Sequence, residues 1–247
     1  VKVGPWAGRK YFLDKMNLGD LVVAYLTHYA IMTYLVLAGV MIWLTVLWAD
    51  NVWGPALAAA VVILVYPLVW YLLHRHVLHG SFLYKSPLTA ALWKRIHFDH
   101  HQDPNDLGVL FGALTTTLPT VVLVIMPIGW LIGGPAGATA GVAWGLLTTC
   151  YYEFCHCIQH LPFAPRNAWL KRIKKLHLAH HFHSEKGNFG ITNYLWDRVF
   201  GTYYSQPKSF PRSETVHNLG YVNEVTARYP WVARISHGDI SNPRIRR

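Results

Sequence analysis

The chain has 247 residues, of which 53% are hydrophobic and only 14% charged, with a mean hydropathy of +0.22, too apolar for an ordinary water-soluble domain. A net charge of +10 would suit nucleic acid, but no nucleic-acid motif is present and the basic residues sit between long apolar runs rather than in one patch. Anionic lipid headgroups are therefore the expected partner, and nucleic acid is not.

Taken in chain order, Val1–Asp20 mixes Lys2, Arg9, Lys10 and Lys15 with Asp14 and Asp20 and does not read as a signal peptide. A helix that crosses a bilayer needs roughly 20 apolar residues, because no water is there to satisfy the backbone. Such runs are expected at about 21–48, where His28 is the only ionisable side chain apart from tyrosines, and at 55–79, after a turn around Asp50, Asn51 and Gly54. A polar, histidine-rich stretch follows at 80–108. The next apolar tract is interrupted by Gly129 and by Gly133-Gly134-Pro135, which predicts two further spans at 109–132 and 135–160.

The expected fold is all-α and integral to the membrane. Four transmembrane helices form two hairpins, and residues 80–108 and 161–247 form a helical cap, all within one domain over 1–247. The turns near 49–54 and 133–135 contain no Lys or Arg, so all 22 basic residues fall on one side. The positive-inside rule places that side, with both termini and nearly all the histidines, in the cytosol. Cys150, Cys155 and Cys157 read as reduced thiols packed as small hydrophobes. Trp169, Leu170, Ile173 and Leu176, set among Lys171, Arg172, Lys174 and Lys175, predict an amphipathic helix, either at headgroup level or docked on the cap. Asp197 and Arg198 read as an ion pair, Asn188 and Gly190 as the makers of a turn, and Ser205–Arg247 as a cap or extended arm.

One short pattern occurs twice: KRIHFDHH over 94–101 and KKLHLAHH over 174–181. In each, the histidines stand at i, i+3 and i+4, positions that share one face of a helix, so each block offers three imidazoles in one direction. His156 and His160 share a face in the same way, and His74, His76 and His79 form a further group. By helical angle His76 lies nearer His79, about 60° away against about 140° for His74. Protonated together these rings would repel, and neutral together they would need many hydrogen-bond partners; a metal resolves both problems. A single zinc takes four ligands, so ten histidines suit two ions, although imidazole alone does not choose among Zn, Fe, Cu and Ni. A centre beneath apolar helices suggests a lipid-tail substrate, whose unactivated C–H bonds require a strong oxidant such as iron with dioxygen. Glu153, Asp99, Asp103, His183 and Asn188 are candidates for holding the imidazoles from behind.

The set His74/His79, His97/His100/His101, His156/His160 and His177/His180/His181, followed by NFGITNYLWDRVFGTYY over 188–204, resembles the fatty acid hydroxylase and sterol desaturase superfamily, most of all the fatty acid 2-hydroxylases. The resemblance covers roughly 71–204. It implies that those ten histidines, with His74 rather than His76, bind two irons, zinc being possible in isolated protein. It implies oxygen insertion into a C–H bond of a lipid, most simply a fatty-acyl chain. Electrons would come from a separate cytochrome b5 or ferredoxin, with a reductase drawing on NAD(P)H. Other outcomes of the same ligand set are carotenoid or sterol oxidation and desaturation; a zinc-dependent hydrolase or a metal transporter is the rival from another class.

Overall fold

The structure, a computed structural model, describes Trp6, residues 8–236 and Ile240. Parts of the leading segment and the basic end of the tail, residues 241–247, lie outside the described residues. Among the described residues the architecture is helical, with one isolated antiparallel bridge between Phe12 and Asp106. In chain order the helices are α1 (Leu18–Leu26), α2 (Tyr29–Trp48), α3 (Trp53–Leu73), α4 (Ala90–Trp93), α5 (Asp99–Gln102), α6 (Leu107–Leu110), α7 (Leu114–His160), α8 (Ala168–Phe182), α9 (Leu195–Val199), α10 (Asn223–Arg228) and α11 (Trp231–Arg234). Among the described residues three helical stretches are long and apolar enough to cross a membrane: Tyr29–Trp48, Trp53–Leu78 and Leu107–His160.

The chain divides into two compact units. The first comprises Val1–Arg9, Gly19–Val69 and Gly112–Cys155. Its helices are apolar all round: Val36, Trp43, Val46, Leu64, Leu123 and Leu131 are exposed, as expected of a surface that faces lipid rather than water. The expected continuous run at 21–48 is instead two helices. The chain leaves helical geometry at His28 (φ −73°, ψ 129°), whose ring packs edge-on against Trp6 at 4.8 Å and is buried. α7 breaks at Gly133 and Gly134; the latter sits at φ 58°, ψ −146°, backbone that only glycine adopts without strain. On either side of that break Gly129 and Gly137 approach so closely that a Cβ on either would strike the other's carbonyl, the small-residue packing that membrane helices use where no hydrophobic effect drives them together. Tyr25 and Tyr66 tie α1 and α3 to α7 through Cys150 O and Thr149 Oγ1. The three cysteines are free and buried, as expected.

The second unit comprises Lys10–Leu18, Trp70–Phe111 and His156–Arg247. All ten histidines of the four motifs belong to it. Trp93, Phe98 and Tyr221 are fully buried together, with Tyr84 and Val232 beside them, so the tail through α11 is a packed cover rather than an extended arm. Removing the Trp93 ring would cost about 3–5 kcal/mol by loss of burial and the cavity left behind. α8 buries Ile173 and Leu176 against Tyr194 while Lys171, Arg172 and Lys175 face outward, so its apolar face is docked on its own unit.

Candidate metal centre

α3 does not continue as regular helix beyond Leu73. Residues His74–Leu78 form a π-turn, closed by the His79 N–H donating to the His74 carbonyl at 3.1 Å, five residues back. The extra residue in that turn brings positions five apart onto one face. His74 and His79 therefore meet, with ring centroids 5.0 Å apart, and His76 turns outward and is exposed. Regular helical periodicity, which favours His76, is overridden locally. Lys94–Phe98 is a second π-turn, directly before α5, and presents His97 beside His100 and His101.

The imidazole nitrogens gather in two groups. His100, His156, His160, His177 and His181 form one and His74, His79, His97 and His180 the other, each with its ligand atoms within 4.8 Å of one another; His101 joins them through His180 and His181. Every member but the half-buried His79 is buried. Burial first, and repulsion between neighbouring imidazolium charges second, push His79, His97, His100, His177 and His181 far below the ordinary histidine range. Burial lowers His101 and His180 to about 3, against the opposing pull of a backbone carbonyl on each. These rings are thus neutral at physiological pH, each with one N–H and one lone pair.

Three backbone carbonyls decide which nitrogen keeps its proton. His74 Nδ1 donates to Phe189 O at 2.6 Å, His101 Nδ1 to Val216 O at 2.7 Å and His180 Nδ1 to Gly187 O at 2.7 Å. Their Nε2 atoms are therefore bare. His97 Nε2 lies 3.1 Å from His74 Nε2, 2.9 Å from His79 Nε2 and 3.1 Å from His101 Nε2. One nitrogen can offer one hydrogen at most, so at least one bare lone pair faces it unsatisfied. In the other group His100 and His156 meet at 3.0 Å and His160 and His177 at 2.9 Å. His180 Nε2 and both nitrogens of His181 are buried with no hydrogen-bond partner. A cation answers all of this: two imidazoles at right angles on an ion at about 2.1 Å stand about 3.0 Å apart. The residues present therefore fit metal.

The supporting residues only partly match expectation. Asn188 is buried at φ 56° and pairs with the Tyr204 backbone, Nδ2 donating at 2.9 Å and Oδ1 accepting at 3.1 Å. It shapes the turn as expected. Asp197 and Arg198 do not form the expected ion pair, since adjacent helical positions diverge. Asp197 accepts from Phe189 N at 2.7 Å, Gly190 N at 2.9 Å and Thr202 Oγ1 at 2.8 Å, and burial pushes its carboxyl up against those bonds. Arg198 lies over the Tyr203 ring instead, 4.2 Å from its centroid. Glu153 accepts from Gly112 N at 3.0 Å within the first unit. Asp99 is buried and paired with Lys94 at 2.6 Å; Asp103 is half-buried at the end of α5. His183 bonds Phe210 O at 2.7 Å and so ties the tail to α8. The lysines that open the two blocks are held within the protein: Lys94 by Asp99, and Lys174 by donating to Leu161 O.

Phe189 is the residue that sequence reasoning missed. Its carbonyl fixes His74, its N–H is held by Asp197, and its ring packs on His74, His79 and His180 at 5.6, 5.2 and 5.6 Å. The only signal was its place in the motif 188–204.

The family model described as fatty acid hydroxylase matches residues 59–202. The ceramide very long chain fatty acid hydroxylase SCS7 of Saccharomyces cerevisiae is 33% identical over 57% of this chain and 36% of its own length; the dihydroceramide fatty acyl 2-hydroxylase FAH2 of Arabidopsis thaliana is 32% identical over 57% of each. The chain thus spans between about a third and somewhat over half of these curated relatives. A solved structure of full-length scs7p, with only the hydroxylase domain visible, aligns over 81% of this chain and 71% of that one, with a TM-score of 0.60 and 28% identity. With more than half of its length matched by the family model, and with the motif histidines drawn together in the fold, the chain belongs to the fatty acid hydroxylase family.

Proposed function

We propose that the ten histidines His74, His79, His97, His100, His101, His156, His160, His177, His180 and His181 hold two metal ions, iron in the working enzyme, and that the chain is a membrane-bound monooxygenase that hydroxylates a C–H bond of a fatty-acyl chain with dioxygen. The observation that carries this reading is the pair of adjoining nitrogen groups with bare lone pairs turned on one another around His97 and His181. Two irons supply the activation of dioxygen that an unreactive methylene demands. The chain's own residues fix the cage. Phe189, Val216 and Gly187 carbonyls set three tautomers, Asp197 holds the Phe189–Gly190 backbone, and the Phe189 ring shields the four-histidine group from water. The relatives named for ceramide and dihydroceramide make the fatty-acyl chain the part of the substrate to test, whatever headgroup carries it.

The membrane arrangement completes the proposal. The break at Gly133-Gly134 supports a reading of α7 as two spans, and so of four spans in two hairpins within a single domain over 1–247. The segregation of 22 basic residues away from the two turns supports a cytosolic side for the cap, the metal centre and both termini. Electrons come from a cytochrome b5 or ferredoxin reduced through NAD(P)H.

The test is direct. Detergent-purified protein is analysed for metal, then supplied with donor, reductase, NAD(P)H and acyl lipid under oxygen-18 gas. Two ions per chain and label in a lipid hydroxyl are expected. A product whose new oxygen comes from water, formed with zinc alone, would sink the oxygenase reading.

A further inference from the structure

A cleft of about 510 Å³ opens in the second unit beside the four-histidine group; Arg75, His76, His79, Lys186 and Phe189 are in its wall. His79 is the one half-buried member of that group, so an occupant of the cleft comes within one imidazole of the centre. The cleft wall has an excess of positive charge, and among the described residues no ion pair reaches Arg75 or Lys186. Glu185 is also in the wall, 5% exposed; its Oε1 accepts from Ser213 Oγ at 2.9 Å and Thr215 Oγ1 at 2.6 Å and its Oε2 is buried without a hydrogen bond, so the wall holds two cations against one recessed carboxylate. Arg75 is aimed in advance. Its Nη1 donates to Tyr71 Oη at 2.8 Å, and the Tyr71 ring is stacked on Phe200 at 5.4 Å, which leaves the other guanidinium donors for a ligand. Arg75 also ends the charge-free run of the 26-residue helical stretch Trp53–Leu78, the position at which a cation on a spanning helix suits lipid headgroups.

We infer that this cleft binds an oxyanion, a carboxylate or a phosphate, carried by the acyl molecule on which the histidine centre acts. The inference rests on the hydroxylase reading and narrows it: the chain takes an anionic acyl lipid in preference to a neutral one such as ceramide. A volume of about 510 Å³ holds a carboxylate with several methylenes or a glycerophosphate. Arg75 and Lys186 would each donate charge-assisted hydrogen bonds, whereas a neutral headgroup would leave both cations without a partner.

The experiment is equilibrium binding to the metal-loaded chain in neutral detergent, with palmitate, dipalmitoyl phosphatidic acid and N-palmitoyl ceramide as probes. At least one anionic probe is expected to bind roughly tenfold or more tightly than the ceramide. Lys186→Gln, at an exposed site, should erase most of that preference, and Arg75→Gln with Lys186→Gln all of it; metal content reports whether each variant folds. Palmitate and phosphatidate arms separate a free acid from a lipid headgroup, and inorganic phosphate should compete with whichever binds. Equal affinity for all three probes, or a preference that survives the Lys186 change in a metal-replete variant, overturns the cleft assignment alone. If no acyl probe binds, the hydroxylase reading falls with it.

Discussion

The two copies of the histidine block show how little a shared pattern dictates. KRIHFDHH passes through a π-turn and a short helix, whereas KKLHLAHH lies entirely within the regular helix α8. The π-turn brings Lys94 to Asp99, five positions on; the second copy has Ala179 there, and its Lys174 turns to Leu161 O and the Phe163 ring instead. Yet both blocks divide their imidazoles between the two nitrogen groups. His97 and His180 serve the four-histidine group; His100, His177 and His181 serve the five. What the pattern conserves between copies is a set of directions, and each copy reaches them by its own winding.

That comparison can be broken from either side. The largest effect is expected from His100→Ala combined with His177→Ala, one change per block. It should remove one of two ions and lower turnover at least about a hundredfold, read by metal stoichiometry and lipid hydroxylation; retention of both ions would show that the blocks do not share a site. Next comes Asp197→Asn, which weakens the hold on Phe189 and through it His74. Metal affinity of the four-histidine group should fall about 10- to 100-fold while the other group keeps its ion, measured by chelator competition. Lys94→Met takes the ion-pair partner from the buried Asp99 carboxylate and should cost about 3 kcal/mol in a denaturation midpoint series. Lys174→Met leaves the Leu161 carbonyl its bond from Phe163 N at 2.9 Å, and about 1 kcal/mol or less is expected. Equal costs at the two lysines would mean that the blocks are closer equivalents than their winding suggests.

The sequence displayed the chemistry more clearly than its support. Imidazoles at i, i+3 and i+4 announce a face whatever the exact winding, and apolar runs announce their helices because a bilayer allows nothing else. The π-turn at His74–Leu78 was hidden because one extra residue in a turn leaves no compositional mark; it is why ordinary periodicity preferred His76. The carbonyls of Phe189, Val216 and Gly187 were hidden because every residue has one. Asp197 was visible as an acid, but its partners are backbone N–H groups that no side-chain pattern betrays. The break at His28 was missed for the same reason, since no proline or glycine marks it.

His181 has two nitrogens sealed inside the protein without a hydrogen bond. A chain that closed around such a ring with nothing to receive its lone pair would bear that cost permanently, so ion capture and closure of the interior become thermodynamically a single event. Cellular abundance of the protein would then follow the supply of its ion during synthesis, and starvation for that ion would show first as degraded polypeptide rather than as intact, idle enzyme.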